Sequence, residues 1–279
     1  MGRIAVVTGA NQGLGLALVR GLAAELGPDD VVYLTARDPA RGKAALESLG
    51  STRAQLAFQR LDVTDEPSIA DLADTLRDRH GGLDIVASNA AARITKERSQ
   101  SEQVRAFVET NNHGSCRLLK RLMPFLRPGA RYAIIASSFG RLSNLPPHLH
   151  PMFDTERLSL DDIEVSMDTY VEAMENGSAT TDGWPDWINI PSKIGQVATA
   201  RVAARLIRET RPDDDILINA ACPGLIDTEA SRPWFDDMSK AQSPDEAARA
   251  VVDFLLSLKK SDAPSGELIR FGNVLPWND

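Results

Sequence analysis

The run Arg3-Ile4-Ala5-Val6-Val7-Thr8-Gly9-Ala10-Asn11-Gln12-Gly13-Leu14-Gly15 limits what this chain can fold into more than any other stretch. An apolar segment of strand character passes directly into a glycine-rich turn, and the turn opens a helical pattern over 14–25. Each glycine serves a different steric end. Gly9 permits the tight strand-to-helix turn, Gly13 lets the backbone come close to a pyrophosphate, and Gly15 lets the helix pack close to the sheet. Peptide N–H groups at the helix start then face an anion. The segment predicts a dinucleotide-binding unit.

The rest of the chain keeps the same rhythm. Strand patterns fall at 3–8, 31–35, 55–61, 83–88, 131–136, 216–221 and 267–271, with helical patterns at 14–25, 40–49, 66–80, 101–123, 190–209 and 244–258. Strict alternation calls for right-handed crossovers and a sheet covered by helices on both faces. The expected class is therefore α/β, a Rossmann-type doubly wound parallel sheet of about seven strands, in one domain spanning 1–279. At 43% apolar content, 279 residues are enough to bury a large core. One stretch breaks the rhythm. Residues 141–187 carry prolines, two histidines and an acidic amphipathic piece at 159–175, too long for an ordinary connection. We read them as a partly helical insertion over the active-site edge, with a surface decoration as the alternative.

Charge narrows the partners. Lys plus Arg number 31 against 39 Asp plus Glu, a net −8, and no basic block or basic helix face offers a nucleic-acid or membrane surface. Cys116 and Cys222 form no CxxC pair, the first residues lack the pattern of a signal peptide, and no metal site is expected. A cytoplasmic protein acting on a small molecule is the expectation.

Further landmarks resemble those of the short-chain dehydrogenases/reductases almost end to end. The family's cofactor pattern TGxxxGxG matches Thr8 to Gly15, and its acidic residue near the adenine matches Asp62, followed by Val63. Ser88-Asn89-Ala90-Ala91 stands where the family writes NNAG, and Asn111 lies in Thr110-Asn111-Asn112-His113-Gly114. The resemblance implies Ser138 as catalytic serine, Lys193 as catalytic lysine, and Cys222-Pro223-Gly224-Leu225-Ile226-Asp227-Thr228 as a cofactor-contacting loop. It thereby implies cofactor contacts at Gly9, Asn11, Gln12, Gly13, Leu14, Gly15, Arg37, Asp62, Val63, Asn89, Ala90, Lys193, Pro223, Gly224, Ile226 and Thr228. Thr35-Ala36-Arg37-Asp38, Gly81-Gly82-Leu83-Asp84 and Gly183-Trp184-Pro185 are similar to the monomeric carbonyl reductase branch, whose insertion covers the usual dimer face. A monomer is the implied state.

Chemistry of the side chains refines this. Where an NAD-binding chain would carry a carboxylate after its second strand, Ala36 and Arg37 stand instead, and a guanidinium suits the extra phosphate of NADP(H). A solvated Arg37 beside Asp38 is the bland alternative. The family's YxxxK becomes Asn189-Ile190-Pro191-Ser192-Lys193, so the phenol that would donate a proton is replaced by an amide. Asn189 can still hydrogen-bond a developing oxyanion. Pro191 suggests that the helix starts near Ile190, which would make Asn189 an N-cap. Tyr170, in the insertion, is the one tyrosine expected free to reach the site as a substitute acid, with His113, His148, His150 and Asp186 as further candidates. Met152, Phe153, Tyr170, Trp184, Trp187, Trp234 and Phe235 could wall an apolar pocket or pack the insertion.

The favoured function is an NADPH-dependent reductase acting on a C=O or C=N group, with Ser138 and Lys193 polarising the substrate and Asn111 holding Lys193 through a water. A silent NADP(H)-binding protein and a non-redox dehydratase- or cyclase-type enzyme stay open.

Overall fold

In the computed structural model, which describes residues 2–257 and 265–278, strands and helices alternate as the apolar pattern requires. The first half runs β1 (Ile4–Val7), α1 (Gly13–Glu25), β2 (Val31–Ala36), α2 (Pro39–Ser48), β3 (Gln55–Arg60), α3 (Glu66–His80) and β4 (Leu83–Ser88). The second half adds α4 (Gln100–Val108), α5 (Gly114–Leu122), β5 (Leu126–Ile135), α6 (Leu160–Asn176), α7 (Asn189–Thr210), β6 (Leu217–Ala221), α8 (Pro244–Ser257), β7 (Leu268–Arg270) and β8 (Asn273–Leu275). The strand order is β3-β2-β1-β4-β5-β6-β7-β8. Every pairing is parallel except β7 with β8. The order reverses between β1 and β4, and the crevice beyond the carboxyl ends of those strands is where such sheets take ligands.

Burial follows from strands sealed on both faces, so their sequences are apolar throughout rather than alternating. Ile4 and Val6 of β1 join the core built with α3, α4, α5 and α7, whereas Ala5 and Val7 join the opposite core built with α1, α2 and α8. Each fully buried Leu or Ile of these cores contributes about 1.5–3 kcal/mol.

Three details differ from the sequence expectation. The sheet has eight strands rather than about seven, because Phe271 (φ 48°) and Gly272 (φ 76°) turn the chain back into the antiparallel edge strand β8. The helix expected over 101–123 is divided by one π turn, Glu109–His113, between α4 and α5. That wider turn is held by its own side chains: Asn112 Nδ2 donates to the Ser192 carbonyl at 2.8 Å, and Ser192 Oγ donates to Asn112 Oδ1 at 2.8 Å. Strand β5 begins at Leu126, earlier than 131, past an irregularity in its register with β4. Leu258, the expected end of the last helix, lies outside the described residues.

The stretch 141–187 is partly helical, with short 3-10 turns at Leu142–Asn144 and Pro147–Phe153 followed by α6. A reciprocal cap starts α6: Ser159 Oγ accepts from the Asp162 N–H at 3.1 Å, while Asp162 Oδ2 accepts from the Ser159 N–H at 2.8 Å. Its buried face, including Ile163, Met167, Tyr170 and Val171, packs against α4 and α7.

Candidate active site

Two adjoining clefts open at the carboxyl rim of the sheet. The larger, of about 930 Å³, is lined by Gly9, Asn11, Gln12, Gly13, Leu14 and Gly15 from the first turn. Arg37, Asp62, Val63, Asn89, Ala90, Ile226 and Thr228 complete the expected contacts on its wall. The turn is fixed from below by β4. Buried Thr8 accepts through Oγ1 from the N–H groups of Asn89 at 2.9 Å and Ala90 at 2.8 Å, and Asn89 Nδ2 donates to the Thr8 carbonyl at 3.0 Å. A Cβ at Gly15 would lie 2.4 Å from the Gly9 carbonyl oxygen, so only glycine allows this closure.

The polar groups of this cleft fit an anionic dinucleotide. Helix α1 has no side-chain cap, which leaves its first N–H groups open to a ligand. Arg37 and a second guanidinium, Arg41, share the wall, and neither forms an ion pair among the described residues. Arg37 is exposed on this wall, and the neighbouring Asp38 is engaged in capping α2, its Oδ1 accepting from the N–H groups of Ala40 at 2.8 Å and Arg41 at 3.1 Å. Arg41 escaped the sequence reading, although it sits only four positions after Arg37. Pro223 does not reach either wall; it is buried, with its carbonyl accepting from Gln242 Nε2 at 3.1 Å, and the loop meets the larger cleft through Ile226 and Thr228 instead.

The smaller cleft, of about 370 Å³, shares Ala91, Ala92, Arg93, Ile226, Thr228 and Ala230 with the larger one. Here Asn111, Ser138, Asn189, Lys193 and Gly224 come together. Ser138 rides on a 3-10 turn after β5, started by Ser137 Oγ accepting from the Phe139 N–H at 3.3 Å. That turn is pressed onto α7: a Cβ on Gly140 would lie 2.6 Å from Val197 Cγ2 and 2.8 Å from the Lys193 carbonyl oxygen. Lys193 Nζ donates to the Ile135 carbonyl at 3.0 Å and to Gln196 Oε1 at 2.7 Å. Burial pushes its ammonium down to about 8, with a small opposing influence from Cys222.

Gln196 links Asn111 to Lys193 through its side chain. Gln196 Nε2 donates to the Asn111 carbonyl at 3.0 Å while its Oε1 accepts from the lysine, and Asn111 Oδ1 accepts from the Ala92 N–H at 2.8 Å. The signal available in sequence was spacing: Gln196 lies one turn after Lys193, on the same helix face. Asn189 is not the N-cap. Ile188 occupies that position with helical angles (φ −57°, ψ −19°), α7 starts at Asn189 itself, and the Asn189 amide makes no hydrogen bond among the described residues.

The expected substitute acids are elsewhere. Tyr170 is fully buried within the insertion, its ring 4.8 Å from that of Trp184, and burial pushes its phenol up in pKa, with Asp186 adding to the effect. It cannot swing to the cleft without emptying a packed site. His113 is engaged with Asp168 at 3.0 Å and Glu164 at 3.6 Å; burial opposes its charged form, but these carboxylates outweigh it and hold the pKa above the usual value. The ring nitrogens of His148 and His150 meet the carbonyls of Asp182 at 2.8 Å and Leu145 at 2.9 Å, and Asp186 is exposed near Thr180. Among the described residues, the smaller cleft is lined by no Tyr, His, Asp or Glu. Of the expected aromatic wall, Trp187, Trp234 and Phe235 line it together with Phe139, which the sequence reading missed, whereas Phe153, Tyr170 and Trp184 are core. Met152 packs against that core.

Among the described residues, no cluster is placed to hold a metal ion, and no helix is long and apolar enough to cross a membrane. Comparison with known proteins agrees with the geometry. The short chain dehydrogenase family model matches residues 3–145. The chain is 34% identical to a pig (Sus scrofa) protein named as an NADPH carbonyl reductase, covering 99% of this chain and 94% of that protein. It is 33% identical to the human (Homo sapiens) protein of the same name, covering 98% of each. Among solved structures, salutaridine reductase from Papaver somniferum matches with a TM-score of 0.79 at 26% identity, covering 95% of this chain and 99% of that one. Menthone neomenthol reductase from Mentha piperita gives 0.76 at 25%, covering 97% and 99%. With its glycine turn, switch-point clefts and Ser138–Lys193 pair, the chain belongs to the short chain dehydrogenase family.

Proposed function

We propose that this protein is an NADPH-dependent reductase that converts the carbonyl group of a small, apolar or aromatic molecule to an alcohol. One observation carries the reading: the cleft suited to an anionic dinucleotide runs without a break into the cleft of Ser138, Asn189 and Lys193, through the six residues that line both. Relatives named as NADPH carbonyl reductases over nearly their whole length support it.

The first helix turn of α1, Arg37 and Arg41 would hold the phosphates, with the two guanidiniums favouring the extra phosphate of NADPH. A bound reduced nicotinamide supplies hydride. The chain's own groups orient the acceptor. Among the described residues, the Asn189 amide and the Ser138 hydroxyl have no competing side-chain hydrogen bonds, so both are available to the substrate oxygen as charge develops there. Phe139, Trp187, Trp234 and Phe235 present an apolar wall, with Trp187 stacked on Trp234 at 5.9 Å, and exclude water from the reacting carbon. The test is NADPH consumption against a panel of aromatic and alicyclic ketones. No turnover with tight nucleotide binding would favour a silent binding protein, and product formation without nucleotide oxidation would favour non-redox chemistry.

A second reading rests on the missing acids. An iminium already carries the positive charge, so its reduction leaves a neutral amine and needs no proton donor at all. Cyclic imines in the same panel distinguish it, and turnover of imines alone would move the assignment to C=N.

A further inference from the structure

We infer that the smaller cleft takes a ketone that also carries a carboxylate, with Arg270 binding the carboxylate at the mouth while the aromatic wall holds the body of the molecule. The inference rests on the carbonyl reading above and names its substrate class. Charge around the cleft is the first ground. The whole protein is acidic, at a net −8, yet the side chains lining this cleft include Arg93, Lys193 and Arg270 and, among the described residues, no Asp or Glu. The loop after β6 carries Asp227, Glu229, Asp236 and Asp237, and none of the four lines the cleft. Asp227 is paired with Arg232 at 2.6 Å and Glu229 with Arg93 at 3.3 Å. A recess lined by one sign of charge draws ligands of the other.

Position is the second ground. Lys193 is tied to the Ile135 carbonyl and to Gln196 Oε1, and Arg93 stands on the seam with the larger cleft, beside Glu229. Arg270 differs from both. It lines the smaller cleft alone, so phosphates held along the wall of the larger one do not account for it. As the last residue of β7, which runs parallel to β6, it stands at the carboxyl rim of the sheet, and β7 lies beside the turn that carries Ser138. Its guanidinium is exposed, lies over the Phe271 ring at 5.2 Å from the ring centre, and has no carboxylate partner among the described residues. Phe271 in turn is seated against a lining residue, since a Cβ on Gly224 would lie 2.9 Å from Phe271 Cζ. A guanidinium resting on a ring keeps its N–H edge for two parallel bonds to a carboxylate.

The wall supplies the rest of the recognition. Phe139 and Phe235 meet the Trp187 ring edge-on at 5.1 and 6.2 Å, and Trp187 stacks on Trp234 at 5.9 Å, so a flat apolar body finds rings to rest on. The indole N–H groups of Trp187 and Trp234 are buried without an acceptor among the described residues, and Lys96 lies 5.7 Å from the Trp234 ring centre. No carboxylate on this wall repels an anion. At about 370 Å³ the cleft falls at the small end of the roughly 300–1,000 Å³ range of ligand sites, which suits a compact aromatic acid.

Matched ketones test the assignment. The probes are meta-acetylbenzoate, para-acetylbenzoate and para-acetylphenylacetate, each beside its methyl ester, so that a pair differs only in the anion and the pairs differ in its distance from the ketone. Steady-state NADPH oxidation should favour at least one acid over its ester by about 10–100-fold in kcat/KM, as gain of a charge-assisted hydrogen-bonded pair predicts, with the difference in KM. That preference should shrink as salt rises, because the guanidinium is exposed. Arg270→Gln should bring the acid-to-ester ratio towards one, and Arg270→Lys should keep part of it. Arg270→Glu should turn the preference round, making para-acetylbenzylammonium a better substrate than the acid. The NADPH dissociation constant should hold in all three variants, since Arg270 lies outside the larger cleft. A ratio taken within each variant stays informative even where total activity falls. Esters reduced as well as every acid, or an unchanged ratio in Arg270→Gln, would overturn the carboxylate assignment while leaving the carbonyl reading intact. Failure of the native protein to reduce any ketone, in this series or the wider panel, would remove both.

Discussion

In the larger cleft the first amides of α1 and the guanidiniums of Arg37 and Arg41 stand without partners among the described residues, whereas in the smaller one Lys193, Gln196 and Asn111 are tied to one another in a continuous chain of hydrogen bonds. The first arrangement faces solvent, with both guanidiniums exposed, and offers open donors and unpaired cations to an anion that enters. The second commits the lysine, the glutamine amide and the asparagine carbonyl to one another and, among the described residues, leaves the Ser138 hydroxyl and the Asn189 amide to the cleft. A site for holding and a site for reacting thus differ in how far the protein satisfies its own polar groups. Reading those commitments separates the two more clearly than cleft size does.

The contrast can be pressed hardest at Asn189. If the reacting cleft lacks only its usual acid, Asn189→Tyr should raise carbonyl reduction by about 10²–10⁴-fold, measured as kcat/KM for a ketone, with nucleotide affinity little changed. No gain would mean that the cleft has been rebuilt for other chemistry. On the holding side, Arg37→Ala should weaken NADPH on the order of 10–100-fold, by loss of one charge-assisted bond, while leaving NADH almost untouched in a fluorescence titration. Equal losses for both nucleotides would mean that Arg37 does not read the extra phosphate.

Smaller effects test the scaffold. Gly140→Ala forces a Cβ against Val197 and the Lys193 carbonyl, and we expect about 1–3 kcal/mol of destabilisation in urea unfolding together with a fall in kcat, since the serine turn must lift from α7. Asp38→Ala removes only the cap of α2 and should cost about 1 kcal/mol with kcat unchanged. A larger loss of NADPH affinity than of stability in that variant would place Asp38 in the holding cleft as more than a cap.

Much of this architecture was legible in the residues. The strand–glycine turn–helix of 3–25 and the apolar strands β2 and β4 announce themselves because a doubly covered parallel sheet permits little else. The edge hairpin did not, because its two left-handed turn residues are Phe271 and Gly272 rather than the Asn-Gly or Asp-Gly that signals such a turn. The π turn at Glu109–His113 was equally hidden: its cause is the tertiary bonding of Asn112 to Ser192, which no local pattern records. Tyr170 misled for a related reason. An insertion far from its packing partners in sequence gives no sign of which aromatic rings face inward, and α6 turns that ring onto Trp184. At Asn189, Pro191 was a sound cue to a helix start, but the start falls one residue before the expected Ile190, so the amide is released from capping.

The direct Gln196 bridge between Asn111 and Lys193 has one more effect. Turning the ammonium away from Gln196 would break the bond that orients the amide toward the Asn111 carbonyl, so the lysine, the glutamine and the asparagine keep their positions as one unit.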